Sequence, residues 1–291
     1  MLGISYKIVA HLMFAVMFAS AKSVGVAVPI GQVLFWRSGV GILVIIAFAA
    51  ATHRLALLAT NRIDTHAFRS LSGVTSMFCN FSAFSLLPLA DATAIGFTQP
   101  LFVVVMAALM LGEQVRVYRW SAVILGLAGV IIIIGPHATL GGNHLVGALY
   151  ALTGAALSAL AMIFLRRMSA HEHSITIAFY FMLTTIVLSS FSFLLGWTPL
   201  DNTQMSALIL TGFAGGIGQL CLSYSYRFAE ASVLAPFDYT ALLWAAALGY
   251  FVFGDFPILQ VWIGAGFVIA AGLVIVWRER QLHRKSVESP V

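Results

Sequence analysis

Long apolar runs, broken at intervals by short clusters of polar, glycine and proline residues, set the plan of this chain. The runs are continuous rather than alternating. Continuous runs predict helices in an apolar medium, because membrane barrel strands alternate and surface helices keep one polar face. Ten segments are predicted, over residues 4–24, 32–51, 67–87, 92–112, 117–134, 145–166, 174–195, 205–227, 232–253 and 258–277. About 20 residues at 1.5 Å each cross a hydrocarbon core about 30 Å thick. The connections are short apart from Thr52–His66, and the polar tail from Arg278 is expected to fray.

Composition turns the pattern into a class. Of 291 residues, 61% are hydrophobic and 9% are charged, against about 25% charged in soluble domains. The expected fold class is all-α integral membrane, with the lipid bilayer as its surroundings. The formal charge of +5 is not read as nucleic-acid affinity, since in such a chain the placement of positive residues carries the information. With the N-terminus inside, Lys7, Arg54, Arg62, Arg69, Arg116, Arg119, Arg166, Arg167, Arg227, Arg278, Arg280, Arg284 and Lys285 fall on the cytoplasmic side. The outer loops near 25–31, 88–91, 135–144, 196–204 and 254–257 hold no Lys or Arg. Only Lys22 and Arg37 lie toward the outer half, both within segments. The asymmetry predicts both termini in the cytoplasm and an even number of spans.

Several chemistries are excluded early. Cys79 and Cys221 both fall inside apolar runs, and there is no CxxC or Cys/His metal spacing. Free thiols are expected, with no metal or cofactor. The sequence has no phosphate-binding GxxxxGK[ST] loop, no HExxH and no GxSxG, so neither an ATP-driven pump nor an intramembrane enzyme is indicated. No charged ring or filter-like loop suggests a channel. Ala19-Ser20-Ala21 has the small-residue form of a signal-peptidase site. The segment before it has a counterpart later in the chain, however, and is kept as a span.

The chain also repeats itself. Gly112-Glu113 corresponds to Gly254-Asp255 and Trp120 to Trp262, both at an offset of 142 residues. Ala90-Asp91-Ala92 matches Ala229-Glu230-Ala231 at 139, so the second copy carries a three-residue insertion. Five spans per copy, an odd number, place the copies upside down relative to each other. The expected units are residues 1–140 and 141–280, followed by a polar cytoplasmic tail at 281–291.

The duplicated five-span units resemble the EamA repeats of the drug/metabolite transporter superfamily. The likeness is carried by LGE and FGD after the fourth and ninth segments, and by the GLAGVIIII and GFVIAAGLVIV that follow. It covers nearly the whole chain. It implies ten transmembrane helices as two inverted five-helix repeats, moving small organic solutes, often out of bacterial cells across the inner membrane. Relatives of this kind include exporters of amino acids, aromatic ones among them. Two departures stand out: the second acidic position is Asp255, and segment nine carries Asp238.

The polar residues inside segments are the candidates for chemistry. Arg37 sits in GQVLFWRSGVGILVIIAFAA, where a guanidinium at a helix centre costs about 2.5–3.5 kcal/mol on insertion scales. It either reaches the outer headgroups or the carbonyls of a broken helix, or it faces an aqueous cavity and draws a substrate carboxylate. Asp238 either holds a proton in an apolar setting and couples transport to it, or sits in a first helical turn near the interface. Arg37 and Asp238 enter from opposite faces, so a direct pair is not expected. His11 offers a second proton carrier or a packing hydrogen bond. Gly212, Gly215 or Gly216, Gln219, Ser223 and Tyr226 form one small-and-polar stripe, and Gly73, Ser76, Asn80 and Phe84 another. Such stripes pack helices or line a water path. Phe78, Phe81, Tyr224, Tyr239 and Trp244 are candidate aromatic walls. Pro100, in mid-segment, is a candidate kink and hinge. Glu113 and Asp255 read as turn residues, and His171-Glu172-His173 as a solvated loop.

The expected function is secondary-active export of small organic metabolites, amino acids or related amphipathic compounds, by alternating access. An uptake carrier for a metabolite or nucleoside-like solute is the rival. Candidate substrate contacts are Arg37, Asn80, Gln219, Tyr226, Tyr239 and Trp244. Candidate proton carriers are Asp238 and His11, and a monomer is compatible with the pattern.

Overall fold

The computed structural model describes residues 2–25, 27–60, 63–111, 117–140, 142–168, 172–228, 234 and 237–288; the side chain of Tyr226 and those from 278 onward are among a few outside the description. The helices are α1 (Leu2–Ser23), α2 (Ile30–Ala51), α3 (Ile63–Leu86), α4 (Leu89–Gly96), α5 (Gln99–Leu111), α6 (Val117–Leu140), α7 (Gly142–Met168), α8 (Ser174–Ser190), α9 (Asn202–Phe228), α10 (Thr240–Phe253) and α11 (Leu259–Glu288). No strand occurs among the described residues. The elements answer to the ten predicted segments, with α4 and α5 sharing the fourth.

Local chemistry sets the helix ends. Asp201 and Gln204 cap α9 reciprocally: Gln204 N–H donates to Asp201 Oδ1 at 2.7 Å and Asp201 N–H to Gln204 Oε1 at 3.2 Å. Gly254, at φ +69°, turns the chain out of α10, and Asp255 N–H closes back onto the Gly249 carbonyl at 3.0 Å. Two boundaries depart from expectation. The outer loop expected at 135–144 is largely helical, as α6 runs to Leu140 and α7 begins at Gly142. The tail from Arg278 continues α11 to Glu288. Its Arg, Glu, Gln, Leu and Lys residues are good helix formers, and Pro290 is the first breaker.

The fourth segment is the larger correction. It is not one helix kinked at Pro100. α4 ends at Gly96, and α5 starts at Gln99, so Pro100 lies in a first turn, where its missing N–H leaves nothing unsatisfied. The break falls at Phe97-Thr98. Buried Thr98 bridges it, donating its hydroxyl to the Ile95 carbonyl at 2.7 Å and accepting Leu101 N–H at 2.9 Å. Segment nine is also interrupted: Phe237 and Asp238 are helical, Tyr239 is a turn, and α10 follows.

α1 packs along α9, and α3 along α7; α2 lies against α8 and α9, and α6 against α11. The α6–α11 crossing is made by glycine. An ideal Cβ on Gly129 stands 2.6 Å from the Gly264 carbonyl oxygen, so only hydrogen lets the two backbones approach this closely. Among the described residues six stretches are long and apolar enough to cross a membrane, but α3 is not one of them. Its Arg69, Ser70, Ser72, Ser76, Asn80 and Ser82 account for its polarity.

Candidate functional site

That polarity has a destination. α3 turns Arg69, Gly73, Ser76 and Asn80 toward a central cavity of about 420 Å³. α1 contributes His11, Phe14 and Phe18, and α2 contributes Arg37. The α4–α5 break contributes Gly96, Phe97 and Gln99; Ser158, Phe181, Gln219, Ala241 and Ala245 come from α7 to α10. The volume is in the range of small-molecule sites, and the wall is mostly apolar with a few convergent polar groups. A second crevice, about 520 Å³, runs between α2, α3 and α8 past Pro29, Leu34, Phe78 and Ser192. It is larger, but none of its lining residues is charged.

Two arginines dominate the central cavity. Arg37 is 3% exposed and Arg69 9%. Nε and Nη1 of both guanidiniums have no hydrogen-bond partner among the described residues. Gly215 of α9 makes room for the Arg37 head, since an ideal Cβ there would lie 3.2 Å from Arg37 Nε. The Arg69 guanidinium lies over the Phe181 ring, 4.3 Å from its centroid. Arg69 was placed by sequence among the cytoplasmic flanking charges. α3 begins four residues before the predicted segment, so Arg69 rides inside the bundle. An arginine close to a segment end carries no signal that separates the two cases.

Asp238 is not an isolated acid. Lys7 Nζ lies 2.6 Å from its Oδ1, and His11 Nε2 lies 3.0 Å from the same oxygen. Lys7 is 1% exposed, so it is a buried partner rather than the flanking charge expected. The i, i+4 spacing of Lys7 and His11 puts both on one face of α1. At the other end of α1, Lys22 reaches Asp255 Oδ2 at 3.1 Å and donates to the Leu87 carbonyl at 2.8 Å. Both ends of α1 are thus tied by charge to the chain around segment nine, at 238 and 255. Asp255 keeps its turn role and adds this contact; Glu113 lies outside the described residues.

The other candidates divide. Asn80 and Gln219 line the cavity with Arg37 and His11. Asn80 Nδ2 donates to Ser76 Oγ at 3.3 Å, and Ser76 in turn meets Ser158 at 2.5 Å and the Gly154 carbonyl at 2.9 Å. The α3 stripe therefore both packs on α7 and faces the cavity. In the α9 stripe, Gly212 and Gly216 seat α2, and Gln219 faces the cavity. Tyr239 and Trp244 are not among the residues that line the cavity. The Tyr239 hydroxyl is committed to the Ile269 carbonyl at 3.3 Å. The cavity face of α10 is Ala241 and Ala245, a turn apart, and Trp244 falls off that stripe. Of the expected aromatic wall only Phe81 lines the cavity; Phe78 borders the second crevice, and Tyr224 stacks with Phe228, meets Phe48 edge-on and lies tilted against Tyr6. The loop at 172–173 is not merely solvated: Glu172 accepts from Thr60 Oγ1 at 2.6 Å, and His173 caps α8; His171 lies outside the described residues.

Known proteins share this plan. A pseudopaline exporter of Pseudomonas aeruginosa is 27% identical, with 94% of this chain and 93% of that protein covered. An S-adenosylmethionine uptake transporter of Rickettsia bellii is 27% identical, with 92% and 90% covered. A riboflavin transporter of Rhizobium johnstonii is 26% identical, with 89% and 85% covered. A solved crystal structure has the same fold, with a TM-score of 0.68, 23% identity, and 96% of this chain and 98% of that chain covered. The sequence profile of the EamA-like transporter family matches residues 1–135 and 145–277, and the chain belongs to that family.

Proposed function

We propose that this transporter is a secondary-active carrier that exports small amphipathic organic metabolites, amino acids and their derivatives among them, across the bacterial inner membrane. The observation that carries the reading is the central cavity, built jointly by α1 to α5 and α7 to α10. A site shared by two sets of helices is what alternating access needs, because rocking one set against the other exposes it to each side in turn.

The two sets are residues 1–140 and 141–280, related as inverted repeats. Exchanging the first five segments with the last five turns the α1–α9 packing into α7–α3, and leaves α2–α8 and α6–α11 unchanged. The interruption before α5 has its mate in the interruption before α10. The break at Phe97-Thr98 borders the cavity and serves as the hinge, with Pro100 fixing the start of α5.

Within the cavity Arg37, Asn80 and Gln219 contact the solute. Asp238 and His11 carry the coupling proton. A proton on Asp238 removes the negative charge that holds Lys7, which frees that end of α1. The relatives named for S-adenosylmethionine uptake favour a second reading, import through the same cavity. Counterflow in proteoliposomes tests the carrier itself: internal unlabelled solute should accelerate entry of labelled solute, saturably. Flux that rises linearly with solute and ignores the opposite side would contradict a carrier. Right-side-out and inverted vesicles with an imposed proton gradient separate export from import.

A further inference from the structure

We infer that the solute is an organic dicarboxylate on an apolar body, held with one carboxylate on Arg37 and the other on Arg69; this rests on the carrier reading of the same cavity. Two buried guanidiniums face the cavity with Nε and Nη1 of each unpartnered among the described residues. None of the described lining residues is acidic. Asp238 touches the lining residue His11, but Lys7 already pairs it. The cavity wall therefore presents two positive charges with no carboxylate among the described lining residues, and buried charge calls for a counter-charge with hydrogen bonds.

Net charge decides between solutes. A zwitterionic amino acid satisfies one guanidinium and brings an ammonium close to the other, with no lining carboxylate to receive it. A dicarboxylate satisfies both. The arginines come from different helices, α2 and α3, and each planar fork matches one carboxylate. The rest of the wall supplies the apolar body's surroundings: Phe14, Phe18, Phe81 and Phe84, with Asn80 and Gln219 for an amide or hydroxyl. Arg69, held over Phe181, is pre-oriented, which lowers the ordering cost of binding.

Four probes with related bodies test the proposal on purified full-length protein by calorimetry: N-benzoylglutamate, its γ-methyl ester, its dimethyl ester and phenylalanine. The dicarboxylate should bind about tenfold or more tightly than the monoester, the effect of one charge-assisted bond. Phenylalanine should bind more weakly still. Arg37→Gln and Arg69→Gln should each bring dicarboxylate and monoester to similar affinity, while Arg37→Lys keeps the preference. Unchanged circular dichroism and a single symmetric size-exclusion peak show that the variants are folded. Equal affinity for the two acids in the unmodified protein, phenylalanine binding as tightly as N-benzoylglutamate, or no binding of N-benzoylglutamate overturns the proposal. Counterflow with the same probes separates the two claims. Saturable counterflow of phenylalanine with none of the dicarboxylate sinks the dicarboxylate and keeps the carrier. Tight dicarboxylate binding with no counterflow of any probe sinks the carrier and keeps the site.

Discussion

Asp238→Asn leaves the Lys7 ammonium, 1% exposed, without the carboxylate that lies 2.6 Å away. Removing one partner of a fully buried pair costs about 3–5 kcal/mol, whereas exposed pairs contribute about 0.2–1. Here the pair is lopsided, since the Asp238 side chain is 39% exposed. The expected loss for Asp238→Asn is therefore about 1–3 kcal/mol, below the buried limit because water screens one side. Lys7→Met in the same background should restore most of it, because the stranded charge is gone. The coupling energy between the two positions should be at least about 1 kcal/mol. Equilibrium unfolding in mixed detergent–dodecyl sulfate micelles measures all four corners of the cycle. Transport on the same samples should show gradient-driven accumulation lost in Asp238→Asn, with exchange retained. A cycle that is additive within about 0.3 kcal/mol, together with unchanged gradient-driven accumulation, would refute both the ionic tie and its role in coupling.

Two other perturbations read different parts of the account. In a background lacking Cys79 and Cys221, cysteines at Asn143 and Asn202 should react with an impermeant reagent from outside, and reaction at 143 only after permeabilisation contradicts the assigned orientation. Gly215→Ala places a Cβ 2.9 Å from Met17 Sδ and 3.2 Å from Arg37 Nε, so solute affinity should fall several-fold as the guanidinium shifts; Gly39→Ala, which meets nothing within 4 Å, should leave binding unchanged, and equal effects from the two would remove the steric argument.

Hydrophobic patterning carried the helix count because each span must be apolar over a fixed length, whatever its neighbours do. It also located Arg37, Asn80, Gln219 and His11, since a polar residue inside an apolar run stands out by contrast. It failed for Arg69 and Lys7 because both lie close to segment ends, where flanking and buried cations look alike in sequence. The break at Phe97-Thr98 was hidden for another reason: the visible mark, Pro100, lies just after it and is compatible with an intact first turn. Tyr239 and Trp244 lie off the cavity lining because which face of the chain around α10 meets the cavity depends on packing against α1 and α4, which periodicity in a uniformly apolar helix does not encode.

Two-sided access to the cavity is the most direct test. Thr93 lines it from α4, and among the described residues its hydroxyl bonds only its own helix, at the Leu89 carbonyl, so Thr93→Cys in a background without other cysteines should be mild. An impermeant maleimide applied to either side of proteoliposomes of fixed orientation should label this position, and saturating N-benzoylglutamate should slow both reactions. Labelling confined to one side, whatever the solute or gradient, would contradict alternating access through this cavity.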